Sequence, residues 1–136
     1  MPAPNKPRPL PDEHSQRYWD ALSAGRLLIQ RCRVCGAHQF YPRRHCTGCF
    51  AADPEWIEAR GTGRLHTFSV LHRSANPEFA GDCPYVLGVV ELDEGVRLTA
   101  RIDVPIEALA CDLPVRLARV DPDTTPPCFE AQGTPA

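Results

Sequence analysis

The chain has no hydrophobic run of the eighteen or so residues that a membrane span requires, so no membrane role is expected. Its first residues, MPAPNKPRPLPDE, contain no apolar stretch of the kind a secretory leader needs, and the cytoplasm is the expected compartment. A basic excess is also missing. The formal charge is −2 and the pI about 6.2, where a polyanion-binding domain would stand above roughly 9. Aromatics are few, at 7%, which leaves little for the stacking platforms of a single-strand nucleic-acid groove. No Gly-x-Ser-x-Gly or comparable nucleophile motif occurs. His66, His72, Cys83, Glu91 and Asp93 remain as the candidates for catalysis, and none has a partner recognisable from spacing. Cys83 stands before Pro84 with no evident base, so a structural thiol is the expectation.

Cysteine and proline, by contrast, are abundant. There are 7 cysteines and 15 prolines in 136 residues. Four of the cysteines form Cys32-x-x-Cys35 and Cys46-x-x-Cys49, two pairs with ten residues between them. A Cys-x-x-Cys turn sets two sulfurs on one side of an ion, and a second turn completes a tetrahedron. Zinc is the usual occupant of such a closed cage. Iron of the rubredoxin type uses a similar one, and spacing alone leaves both open. Two disulfides would need an oxidising compartment, and a redox dithiol would not come as two matched pairs. His38 and His45 are spare nitrogen ligands, read here as surface residues because four sulfurs already complete the set. Arg31, Arg33, Arg43 and Arg44 flank the motif, either as solvated charge or as a basic patch facing a partner or phosphate. Cys83, Cys111 and Cys128 are left over and read as buried or half-buried thiols.

Prolines crowd residues 2–11 and 122–127, so residues 1–11 read as a flexible arm and 132–136 as a tail. Residues 12–26 read as a helix capped by Asp12, running from about Glu13 to Ala24 and stopped by Gly25. Its apolar stripe, Tyr18, Trp19 and Leu22, must dock on this chain or on a partner. Residues 27–55 read as the metal ribbon, with Leu27–Arg31 as a strand entering the first turn.

Residues 56–131 read as β structure, with Trp56–Ala59 as its opening. Strands are expected at Arg64–His72, Tyr85–Leu92, Arg97–Val104 and Pro114–Val120, with Pro127–Ala131 as a last edge strand. The run YVLGVVEL suggests burial on both faces. Asp93-Glu94-Gly95 reads as a tight hairpin, residues 73–84 as a candidate functional loop, and Ile106–Ala110 as one helical turn. Five short strands with these connections give the fold class: mainly β, an N-terminal helix, a rubredoxin-like zinc ribbon and a C-terminal OB-fold barrel.

The segments YWDALSAGRLLIQRCRVCG, YPRR before HCTGC, EWIEARGTGRLHTFSVLHR and PYVLGVVELDEGVRLTARI stand in one order. In that order the chain resembles the bacterial and archaeal zinc-ribbon/OB-fold proteins catalogued as a domain of unknown function. The resemblance covers about residues 18–102 and extends more weakly to PVRLARV and PPCFEA. It implies that Cys32, Cys35, Cys46 and Cys49 bind structural zinc. It implies a non-catalytic small subunit that assembles with a thiolase-fold partner in a hetero-oligomer acting on acyl-CoA. A secondary expectation puts Arg43, Arg44, Arg64 or Arg73 on the CoA phosphates. One departure is the turn before Pro114, where the family commonly has glycine and this chain has Asp112-Leu113. The alternative function is a single-stranded nucleic-acid-binding OB-fold protein.

Overall fold

A computed structural model describes residues 10–118 and 127–132. Most of the expected arm and tail, and the expected strand residues 119–120, lie outside that range.

Asp12 caps the N-terminal turn as its chemistry predicts. Its carboxylate accepts from the N–H groups of His14 (3.0 Å) and Ser15 (2.8 Å). In the turn it stabilises, the Asp12 carbonyl accepts from the N–H groups of both Ser15 and Gln16, and regular helix follows later than expected, as α1, Gln16–Ser23. Gly25, at φ +81°, ends it. The Arg26 N–H then reaches back to the Ala21 carbonyl at 2.9 Å, which also accepts from the Ala24 N–H at 2.9 Å. The buried stripe is Tyr18, Ala21 and Leu22, and it docks on this chain's own core beside Leu27 and Ile29. Trp19 leans outward and its indole N–H donates to the Tyr41 hydroxyl at 2.8 Å.

Three short strands make the ribbon sheet. β1 (Leu28–Arg31) is central, β2 (His38–Gln39) lies on one side and β3 (Glu55–Glu58) on the other. β3 was expected to open the barrel segment. Its ladder runs instead to β1, from Leu28↔Glu58 to Arg31↔Glu55, because β2 leaves that edge of β1 unpaired.

The remaining strands are β4 (Thr62–Leu71), β5 (Tyr85–Leu92), β6 (Arg97–Asp103), β7 (Pro114–Leu117) and β8 (Cys128–Ala131). They close into a barrel in the order β4-β5-β6-β8-β7. β8 is therefore no edge strand. It pairs parallel with β6 and antiparallel with β7, and closure removes the free edges. β5 is buried on one face only. Val86, Gly88, Val90 and Leu92 point into the core, while Tyr85, Leu87, Val89 and Glu91 stay half-covered on the barrel's outer wall. A register shift at His66 breaks the alternation of β4, so Leu65 faces inward but Phe68 and Val70 take over beyond it. The 73–84 loop carries a short helix, α2 (Pro77–Ala80), capped by the Asn76 side chain, which accepts from the Glu78 N–H. The expected turn at 106–110 is a single 3₁₀ turn, Ile106–Ala108. Asp112 sits at φ +66°, a conformation aspartate tolerates better than most residues, so the turn survives without glycine. No described helix is long and apolar enough to cross a membrane.

Candidate metal centre

The ribbon folds into two knuckles that bring the four predicted cysteines together. Their sulfurs all lie within 4.8 Å of one another. Cys32 Sγ is 3.5 Å from Cys49 Sγ, and Cys35 Sγ is 3.6 Å from Cys46 Sγ. Metal–sulfur bonds of about 2.3 Å at tetrahedral angles give sulfur–sulfur edges of about 3.8 Å. The cage therefore fits one tetrahedral ion. Cys32 and Cys46 are buried, and Cys35 and Cys49 are exposed.

Backbone amides prepare the buried pair for that role. The N–H groups of Cys35 and Val34 both point at Cys32 Sγ from 3.4 Å and pull its thiol down to about 6. The Cys49 and Gly48 amides lower Cys46 in the same way, Gly48 N–H lying 3.3 Å from its sulfur. At Cys49 the Ala51 amide pulls downward but loses to the neighbouring sulfurs, Cys32 foremost, which push the thiol up to about 11. Four sulfurs this close cannot all ionise unless a cation sits among them. The donor set asks for a metal that accepts thiolates.

A second layer, which sequence reasoning missed, holds the knuckles in place. Gln30 on β1 and Gln39 on β2 are both buried. Gln39 Nε2 donates to Gln30 Oε1 at 2.8 Å and to the His45 carbonyl at 3.2 Å, and its Oε1 accepts from the Thr47 N–H at 2.9 Å. Gln30 clamps Arg43 from both sides, accepting from its N–H (2.7 Å) and donating to its carbonyl (2.9 Å). Two side chains thus fix the backbone leading into Cys46. Gln30 sits in the run LLIQR with nothing in sequence to mark it as paired.

The four arginines expected on CoA phosphates do not form one cluster. Arg43 and Arg44 line a cleft of about 430 Å³ with Arg17, His14 and Trp56. Arg17 had not been singled out. Arg64 lies on the barrel, 3.7 Å from Glu91. Arg73 lies beyond the far end of β4, which stops at Leu71.

The catalytic candidates are equally scattered. His66 and His72 are exposed. Glu91 is engaged by Arg97 at 2.9 Å, and Asp93 accepts from the Thr62 hydroxyl. The Cys83 thiol faces the Phe79 carbonyl at 3.6 Å. Among the described residues these make no nucleophile–base pair. Cys83 and Cys128 are half-buried as expected, whereas Cys111 is exposed, because it lies in the turn leading to β7.

A closed four-sulfur ribbon joined to a five-stranded OB barrel defines a class of two-part, metal-stabilised proteins. The profile of the ChsH2 rubredoxin-like zinc ribbon domain matches residues 19–55, and that of the ChsH2 C-terminal OB-fold domain matches residues 56–120. The chain belongs to this ChsH2, or DUF35, family. It is 34% identical over 127 residues to a probable enoyl-CoA hydratase alpha subunit of Thermomonospora curvata, covering 91% of this chain and 39% of that protein. The chain thus spans about two-fifths of that relative's length. A DUF35 domain-containing scaffold protein of Methanocaldococcus jannaschii is 36% identical over 95 residues, 68% of this chain and 67% of that one. The benzoylsuccinyl-CoA thiolase subunit BbsA of Geobacter metallireducens is 26% identical over 87 residues, 64% of this chain and 57% of that one. Among solved structures, a chain of an Ltp2-ChsH2(DUF35) aldolase superposes with TM-score 0.79 at 32% identity, covering 91% of this chain and 98% of that one.

Proposed function

We propose that this protein is a non-catalytic, zinc-binding accessory subunit of a thiolase-like acyl-CoA enzyme, a thiolase, acyltransferase or aldolase. The observation that carries the reading is the closed cage. Cys32, Cys35, Cys46 and Cys49 fill all four corners, so zinc held there would supply folding free energy and no open coordination position. The dispersed catalytic candidates support the same conclusion. Relatives named as a scaffold protein, a thiolase subunit and part of an aldolase assembly support a thiolase-fold partner in a hetero-oligomer.

Acyl-CoA would be handled by the complex. Arg43 and Arg44 share one cleft, which supports a contact from that pair, more than from Arg64 or Arg73, with its phosphates. The test is reconstitution. The chain should co-purify with a thiolase-fold subunit, carry one zinc per chain, and raise that subunit's activity while showing none alone. Charge reversal of Arg43 and Arg44 together should raise the KM for acyl-CoA in the complex. A catalytic rate from the isolated chain would overturn the non-catalytic reading, and an unchanged KM would remove the phosphate contact.

A further inference from the structure

The two knuckles share one backbone pattern, but the residue that follows the second cysteine differs between them. In each, the first cysteine's N–H donates to a carbonyl five residues on, Cys32 to Ala37 at 2.8 Å and Cys46 to Ala51 at 2.9 Å. In each, the residue after the second cysteine donates back to the first cysteine's carbonyl, Gly36 to Cys32 and Phe50 to Cys46, both at 3.0 Å. That residue has positive φ in both. The first knuckle uses glycine, Gly36 at φ +75°, and the second uses Phe50 at φ +63°. A side chain in this region crowds its own backbone, and a bulky one is a true outlier. Strain of this kind persists where something outside the local backbone retains the residue.

Packing within the chain does not retain it, for Phe50 is 79% exposed. Val34, on the first knuckle, is 77% exposed. Val34 precedes Cys35, Phe50 follows Cys49, and those two sulfurs belong to one cage. Both apolar side chains therefore sit at the solvent end of the metal centre. Arg33, next to Val34, is exposed and has no ion pair among the described residues. Zinc and the knuckle hydrogen bonds hold this tip rigid, so an anchor there loses little freedom on binding.

We infer that Phe50 and Val34 form a docking surface for a protein subunit. That subunit offers an apolar pocket to the Phe50 ring and a carboxylate to Arg33. Its identification as the thiolase-fold partner rests on the function proposed above. A protein suits the tip better than a nucleic acid does: Val34 has no face for base stacking, and the chain's net charge is −2.

The test titrates the full zinc-loaded chain against its purified thiolase-fold subunit, with Phe50→Gly and Val34→Ser in parallel. Phe50→Gly relieves the backbone, so it should keep one zinc per chain and melt at the wild-type temperature or up to about 3 °C above it. Its assembly should weaken at least about tenfold, as for a buried aromatic anchor, and Val34→Ser should weaken it severalfold. Wild-type assembly by Phe50→Gly would overturn the docking surface and leave the accessory reading standing. A lower melting temperature would make Phe50 a folding residue and overturn it too. Failure of the wild-type chain to assemble with any thiolase-fold subunit would remove both readings. Tight single-stranded DNA binding that Phe50→Gly abolishes would replace the protein partner with a nucleic acid.

Discussion

Replacing Gln39 with leucine tests whether buried amides, and not the sulfurs alone, set the metal site. The side chain is 6% exposed and makes three hydrogen bonds, to Gln30, His45 and Thr47. Leucine is similar in volume, so the change removes polar contacts without opening a large cavity. Each lost bond costs about 1 kcal/mol net. The Thr47 amide and His45 carbonyl belong to exposed residues and regain water, so the sum stays near 3 kcal/mol and does not approach full desolvation cost. For a chain of this size that corresponds to a melting temperature about 10 °C lower. Thr47 lies between Cys46 and Gly48, so loosening it also lets the second knuckle drift. Residues that orient ligands from behind typically control metal affinity by 10- to 100-fold, and a loss of about tenfold is expected here. The assay pairs thermal melts with competition for zinc by a chromophoric chelator. A variant melting within about 2 °C of wild type, with zinc affinity unchanged, would show that the cage stands without its amide support.

Chelation of the metal should unfold the ribbon, whose three short strands bury little on their own, with a loss on the order of 10 kcal/mol; circular dichroism and a melt before and after chelator would show it, and a chain equally stable without metal would refute it. Gly63→Ala should cost about 3 kcal/mol or more, because its Cβ would lie 2.2 Å from the Glu91 carbonyl oxygen. Gly25→Ala should cost only about 1 kcal/mol, since open space surrounds it and only its φ of +81° is at stake; equal losses in denaturant titrations would contradict that contrast. At Glu91 the hydrogen bond from Arg97, helped by the charges of Arg97 and Arg64, holds the carboxyl below its usual range. A lowered folded value means stability present above the unfolded pKa, near 4.3, and lost as the pH falls through the folded one. Glu91→Gln should therefore melt below wild type at pH 7 and together with it near pH 3, and parallel melts at both pH values would expose any other pattern.

What could be read in the chain, and what could not, divides along the range of the signal. The cage was legible because ligand identity and spacing are local. Cys32, Cys35, Cys46 and Cys49 carry their chemistry wherever the fold takes them, provided two turns face each other. Gly25 and Gly95 punctuate a helix end and a hairpin by the same local logic, both at positive φ. Partners across space were not legible. Gln30 reads as one polar interruption in an apolar strand until Gln39 and Arg43 come to meet it. Trp56–Ala59 read as the opening of the β segment, but only the vacancy beside β1 decides which sheet this stretch joins. The apolar run of β5 was overread, because a small barrel has one inside, and its outer wall stays half-covered whatever the hydropathy.

The same division explains why fold and function were not equally readable. Barrel closure depends on β8 entering between β6 and β7, and Phe129, fully buried, completes a core shared with Ile29 and Tyr18 of the helix and ribbon. Helix, ribbon and barrel are thus coupled through one apolar cluster, with the four-cysteine cage at the ribbon's solvent end. An ion placed there would hold the ribbon, and with it the Leu27 and Ile29 that this segment adds to the core. On the accessory reading proposed above, that position suits a subunit that presents a fixed shape to a partner, and Phe50, strained and exposed, would then bear more directly on function than any buried residue.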